Sequence, residues 1–227
     1  MFAGHIGAGL AIGSAERRVN VGWFVAAALL IDFVLWTFVL LGWETVSITN
    51  NFSDTHQPHF VFPYSHSLAA GLAWSLLAGA VGFASFSRLG SSRIRAALLI
   101  VAAAFSHWLL DALVHQPEMP LTGENSPAVG MGLWNNMPVG LGIETGIVVL
   151  GLFLFMRGST LSRRKSIILA SLCIIVLAFT IAGMTIAPPP PSARAMAGSS
   201  LVTLIVVCSL IFWLGRHPAG NQTSYVP

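Results

Sequence analysis

Six apolar stretches, each long enough to cross a lipid bilayer, limit what this chain can fold into. They run roughly 21–42, 64–87, 94–116, 139–157, 166–187 and 198–215, and a helix needs about 20 apolar residues to cross the hydrocarbon core. A seventh run, 2–14, is shorter and carries Gly4, Gly7, Gly9 and Gly13, which permit close helix packing. It reads as a short or partly inserted helix. Composition points the same way: 55% of residues are hydrophobic and 8% charged, against about 25% charged in a soluble domain. So few charges cannot build a water-facing surface, so lipid is the solvent for most of this one. The expected fold is all-α, a polytopic transmembrane bundle of six long spans plus a short N-terminal helix. Residues 1–217 are expected to form a single membrane-embedded domain and 218–227 a short polar tail.

Charge sets the orientation. Arg17 and Arg18 precede the first long run, and Arg88, Arg93 and Arg95 lie between the second and third. Arg157, Arg163, Arg164 and Lys165 lie between the fourth and fifth, and Arg216 follows the sixth. Ten of the eleven Lys and Arg residues thus share one side, and Arg194 alone lies on the other. The positive-inside rule puts the ten in the cytoplasm. The alternation supports the six spans independently of hydropathy.

The outer connections are 43–63, 116–138 and 188–197. The first two are long, as functional loops often are, and hold Glu44, Asp54, His56, His59, Glu118 and Glu124 without a Lys or Arg. His56 and His59 read as solvated loop residues. Pro188–Pro191 reads as a stiff connector. The net charge of +3 implies no nucleic-acid partner, because the basic residues sit at segment ends. Cys173 and Cys208 lie in apolar runs and read as buried small hydrophobes rather than a disulfide. No cleavable signal peptide, CxxC pair or phosphate-binding glycine loop is evident.

The ionisable residues inside the apolar runs are few: His5, Asp32, His66, His107, Asp111, His115 and Glu144. Such groups are costly in lipid and face a bundle interior. At about 1.5 Å rise per residue, Asp32 lies about 16 Å from the inner end of its helix, His107 about 20 Å and Asp111 about 26 Å. Glu144 and His66 lie about 8 Å and 3 Å from the outer end. The polar groups therefore gather in one slab, from mid-membrane to the outer face. His107 and Asp111 are four apart and share a helix face, so an imidazole and a carboxylate can reach one ion. Equally, the carboxylate can orient the imidazole, or the pair can simply tighten the bundle. His115 continues that face outward.

The order of these motifs resembles the bacterial inner-membrane metal-dependent hydrolases of the LexA-binding, inner-membrane-associated type. The resemblance spans about residues 1–125: His5-x-x-x-Gly9, the intramembrane Asp32, Ser65-His66-Ser67 and His107-x-x-x-Asp111. It implies a location in the bacterial inner (cytoplasmic) membrane and a metal-dependent hydrolase. The family's Pro-Asp-x-Asp is here Ile31-Asp32-Phe33-Val34. Val34 replaces the second acid, so one ion is expected rather than two.

The leading functional expectation is an outward-facing site acting on a lipid, a lipid-linked head group or a small periplasmic molecule. His66, His107 and Asp111 are the expected ligands of one divalent metal, zinc first, with Asp32 and His5 completing the set. Glu144 or His115 is the expected general base or acid. Two other readings use the same residues: a transporter or proton relay, and a non-catalytic subunit of a membrane complex. The expected partners are membrane lipids, with a larger complex or homo-oligomer as the alternative.

Overall fold

The computed structural model describes residues 1–216; the polar tail expected from 218 lies outside the described residues. The fold is an all-α bundle with two very small hairpins. In chain order the helices are α1 (Phe2–Gly13), α2 (Val21–Ala28), α3 (Leu30–Leu41), α4 (Phe52–Thr55), α5 (Leu68–Ser85), α6 (Ser92–Val114), α7 (Met137–Met156), α8 (Arg163–Thr185) and α9 (Ala193–Leu214). Five of them are long and apolar enough to cross a membrane, or six if the bent pair α2 and α3 is counted as one span. The chain is a multi-pass membrane protein.

The first long run is one span in sequence but two helices in space, bent by 49°. The break falls at Leu29, with neither proline nor glycine to mark it. In an unbroken helix the Ala28 carbonyl would accept from the Asp32 N–H. Here it accepts from His107 Nδ1 at 2.7 Å. The bend places Asp32 in the first turn of α3, beside the site rather than along a straight rod.

α1 is the centre of the bundle. It packs on α7, α2 and α6, and Ala3, His5, Ile6, Gly7, Gly9 and Leu10 are all buried. Its glycines explain how three neighbours fit. A Cβ on Gly7 would come within 2.6 Å of the Ile147 carbonyl oxygen, and one on Gly9 within 2.7 Å of the Val25 Cα. Only bare backbone allows that approach. At about 1.5 Å per residue α1 is about 18 Å long, well short of the roughly 30 Å hydrocarbon core. It therefore ends mid-bundle, where its free N–H groups need partners. The Glu144 carboxylate supplies one, accepting from Gly4 N–H at 3.0 Å.

The basic side is tied by side chains that donate to helix-end carbonyls. Arg17 bonds the Phe155 oxygen at 3.2 Å, Arg95 the Ala15 oxygen at 2.8 Å, and Lys165 the Leu214 and Arg216 oxygens at 3.1 and 2.7 Å. These contacts satisfy carbonyls left open at helix C-termini.

On the opposite side the two long connections fold over the bundle. β1 (Thr45–Ser47) pairs antiparallel with β2 (His59–Val61), in the register Val46 to Phe60 and Ser47 to His59. β3 (Met119–Pro120) pairs with β4 (Ala128–Val129). Alternation on the first hairpin buries Val46 and Phe60 and leaves Ser47 and His59 exposed. His59 is thus a surface residue, as its sequence suggests. His56 is not: it is buried, in the left-handed conformation (φ 53°), 5.7 Å from the Phe52 ring. The short α4 between the strands turns it inward, which loop composition alone does not reveal.

Candidate metal centre

The intramembrane ionisable residues meet around one carboxylate, Asp111, near the end of α6. His107 comes from α6 itself, His5 from the first turn of α1, and Asp32 from the first turn of α3. Glu144 comes from α7. His66 precedes α5 rather than opening it, because Ser67 is the helix N-cap, accepting from Ala70 N–H at 3.1 Å. His115 follows the last residue of α6.

The distances are short. Asp111 Oδ1 is 3.1 Å from His5 Nε2 and accepts from the Met1 amine at 2.8 Å. Asp111 Oδ2 is 3.1 Å from His107 Nε2, 3.4 Å from His66 Nε2 and 3.9 Å from His115 Nε2. Asp32 Oδ1 is 3.7 Å from His107 Nε2. The His5 and His107 rings stack at 3.7 Å. His5, His66, His107, Asp111 and Glu144 are all at most 2% exposed. All seven expected site residues thus lie in or beside one cluster.

Three of the imidazoles are anchored through the far nitrogen. His107 Nδ1 meets the Ala28 carbonyl, which can only accept, so Nδ1 carries the proton. His115 Nδ1 lies 2.6 Å from Glu118 Oε1. His66 Nδ1 lies 2.8 Å from Ser65 Oγ, whose hydroxyl donates to Glu44 Oε2 at 2.7 Å. Glu44 Oε1 also accepts from the N–H groups of Tyr64 and Ser65, both at 2.8 Å. The serine proton is thereby committed to Glu44, and Ser65 Oγ accepts from His66 Nδ1–H. Trp108 fixes the same turn by donating to the His66 carbonyl at 2.9 Å.

The electrostatic consequence is direct. With Nδ1 protonated and bonded outward, each neutral ring presents its Nε2 lone pair inward, toward the Asp111 carboxylate. Lone pairs facing an anion at 3–4 Å repel unless a positive charge joins them; the Met1 ammonium pairs with Oδ1, whereas Oδ2, which faces His66, His107 and His115, has no such charge against it among the described residues. A second proton on a ring can supply it, and so can a metal cation. His107 Nε2 and both His5 ring nitrogens are buried with no hydrogen-bond partner. Two triads have ligand atoms within 4.8 Å of one another, His66–His107–Asp111 and His5–Asp32–His107. The cluster could therefore hold a metal ion, and the outward anchors of its histidines are the usual supports of metal-ligating imidazoles.

Glu44, Ser65 and Glu118 are the members that sequence reasoning did not assign to the site. Glu118 was accessible, since it stands three residues after His115. Glu44 was not: it reaches Ser65 only because the β1–β2 hairpin folds back over 21 positions. Burial raises the Glu44 carboxyl above the ordinary carboxylate range, while its hydrogen bonds from Ser65 and Tyr64 oppose the rise. As pH falls, Glu44 takes up its proton earlier than an exposed glutamate and stops being a pure acceptor. Glu44→Gln should fix that weakened state at all pH values. The expected result is metal affinity lower by about 10–100-fold, with the acid limb of the affinity–pH curve flattened, measured by competition against a chromophoric chelator. Unchanged affinity would show that the Ser65–His66 link does not depend on Glu44.

A cavity of about 310 Å³ opens from the cluster. Asp32, His66, Asp111, His115 and Glu144 line one end. Phe52, Phe60 and Phe62 cover it from the first long connection, Trp36 lines it from α3, and Thr180, Gly183, Met196 and Ser200 of α8 and α9 line the other end.

Fold and site together define a multi-pass helical membrane protein with a buried histidine–carboxylate cluster that could hold a metal ion. No family model, curated protein or solved structure matches the chain.

Proposed function

We propose that this protein is a membrane-embedded metal-dependent hydrolase with one divalent ion, zinc first, held by His66, His107 and Asp111 and supported by Asp32 and His5. The observation that carries the reading is the common orientation of three histidines, each with Nδ1 anchored outward and Nε2 turned toward Asp111. His107 belongs to both candidate triads, which favours one ion over two. Three or four nitrogen and carboxylate ligands suit zinc, with manganese or iron as alternatives. The motif order shared with the inner-membrane metal-dependent hydrolases supports the same reading. So does the positive-inside rule, which turns the cavity end of the bundle away from the cytoplasm.

The ion would supply Lewis-acid polarisation at the reacting centre. The remaining work falls to side chains. His115, its Nδ1 held by Glu118, presents Nε2 to the cavity as the base that takes a proton from water. The water oxygen bonds to the electrophilic carbon or phosphorus, the bond to the leaving oxygen breaks, and that oxygen receives the proton from His115. Glu144 uses one oxygen on the Gly4 N–H and has the other for orienting the water.

Elemental analysis of the parent protein, purified from metal-replete cells and desalted, tests the reading. The expected result is one divalent ion per chain, removed by a strong chelator. No bound metal under those conditions would leave a structural polar cluster as the better account.

A further inference from the structure

Most of the cavity lining is closed off from the surroundings. On the loop side Phe52, His56, Phe60 and Phe62 are buried, as is Trp36 of α3 beside them, while Pro58 and Trp134 are half-buried. Among all the residues lining the cavity, Phe179 of α8 and Ser199 of α9 are the exposed ones, Phe179 at 60%. Phe179 stands six residues before the end of α8, and Ser199 six residues after the start of α9. On the helical rise both lie about 9 Å below the same end of the bundle. The most exposed part of the lining therefore lies in the side wall, at a depth within the hydrocarbon layer.

The surrounding architecture keeps this wall open. At the basic side α8 and α9 are clasped by Lys165, which donates to the Leu214 and Arg216 carbonyls. At the other end they are joined by Pro188–Pro191, which cannot coil into a helix and reaches about 12 Å when extended. The cleft is not uniformly apolar. Thr180 is 7% exposed and its hydroxyl has no hydrogen-bond partner, although it lines the cavity. An unpaired hydroxyl in an apolar wall is costly and suits a ligand bearing a carbonyl or ester oxygen. The volume of about 310 Å³ is at the small end of ligand pockets, which start near 300 Å³. It holds the polar linkage of a lipid and the beginning of a chain; the rest stays in the bilayer, as a side opening permits.

We propose that the cleft between α8 and α9 admits one ester-linked membrane lipid from the leaflet opposite the basic loops, placing its polar linkage at the His66–His107–Asp111 cluster. This deepens the hydrolase reading and rests on it for the chemistry, but the binding itself does not require a metal.

Gly183 provides the test, because it lines the cavity and a Cβ added there meets nothing within 4 Å. Gly183→Trp should plug the cleft without a backbone clash. Ser200→Phe, on the facing helix, does the same from the other side. Gly142→Trp is the control: Gly142 is exposed, lies outside the lining and also has open space around it. The full chain is reconstituted into vesicles of phosphatidylethanolamine and phosphatidylglycerol. It is then extracted, and retained phospholipid is counted by native mass spectrometry while metal is measured on the same samples. The expected result is one phospholipid retained by the parent and by Gly142→Trp, lost from Gly183→Trp and from Ser200→Phe, with metal content equal in all four. No retained phospholipid in the parent, or equal retention in the folded plug variants, would overturn the proposal. Retention lost on plugging in a protein without metal would support the cleft and sink the hydrolase reading. Metal present with retention indifferent to plugging would do the reverse.

Discussion

Replacing His107 by Ala is expected to abolish metal retention, the largest effect of any single change in this protein. His107 Nε2 belongs to both ligand triads, so neither survives its loss. The substitution also frees the Ala28 carbonyl at the break between α2 and α3. Elemental analysis of the variant beside the parent, at matched folding, reads the outcome. His59→Ala is the comparison, because His59 lies exposed on the first hairpin and its loss should leave metal content unchanged. Equal metal in His107→Ala and the parent would remove the centre.

Asp111→Asn separates a metal centre from a hydrogen-bonded knot of similar shape. Asparagine keeps the volume and can still exchange hydrogen bonds with the surrounding histidines. In a metal-free cluster the cost falls on the buried ion pair between Asp111 and the Met1 ammonium and is read as lower thermal stability. A metal centre also loses its ion, because the charge that balances the cation is gone and only one side-chain oxygen remains. Metal affinity should fall by roughly 100-fold or more, beyond what loss of a supporting partner costs. Chelator competition measures the affinity, and the thermal unfolding profile in detergent shows that the fold persists. Parental affinity in Asp111→Asn would mean that the ligands gather somewhere other than on Asp111.

Much of this was legible because lipid is a demanding solvent. Apolar length and the alternation of basic residues are enough to predict the spans. The cost of a lone Asp or His in hydrocarbon is enough to predict that Asp32, His107 and Asp111 face one another, and the 3.7 Å between Asp32 and His107 agrees. The four-residue spacing of His107 and Asp111 is local and could be read directly. Three features could not. The break at Leu29 has no glycine or proline, and its partner is the carbonyl taken by His107, a contact across 79 positions. The Glu44–Ser65–His66 link depends on a hairpin whose strands are three residues each, too short for a periodic signal. His56 is turned inward by one left-handed residue. Each depends on tertiary context that overrides local composition.

The length of α1 bears on how the molecule is assembled. A helix of about 18 Å cannot hold itself across a membrane, and its glycine faces fit only against finished neighbours. Its main partner, α7, is synthesised more than a hundred residues after it. The segment that carries His5 therefore has to wait at the membrane surface or in a provisional position until α6 and α7 are in place. Its seating is the step that brings His5 to Asp111 and Gly4 to Glu144, so a chain halted before α7 has all its other ligands but no completed centre.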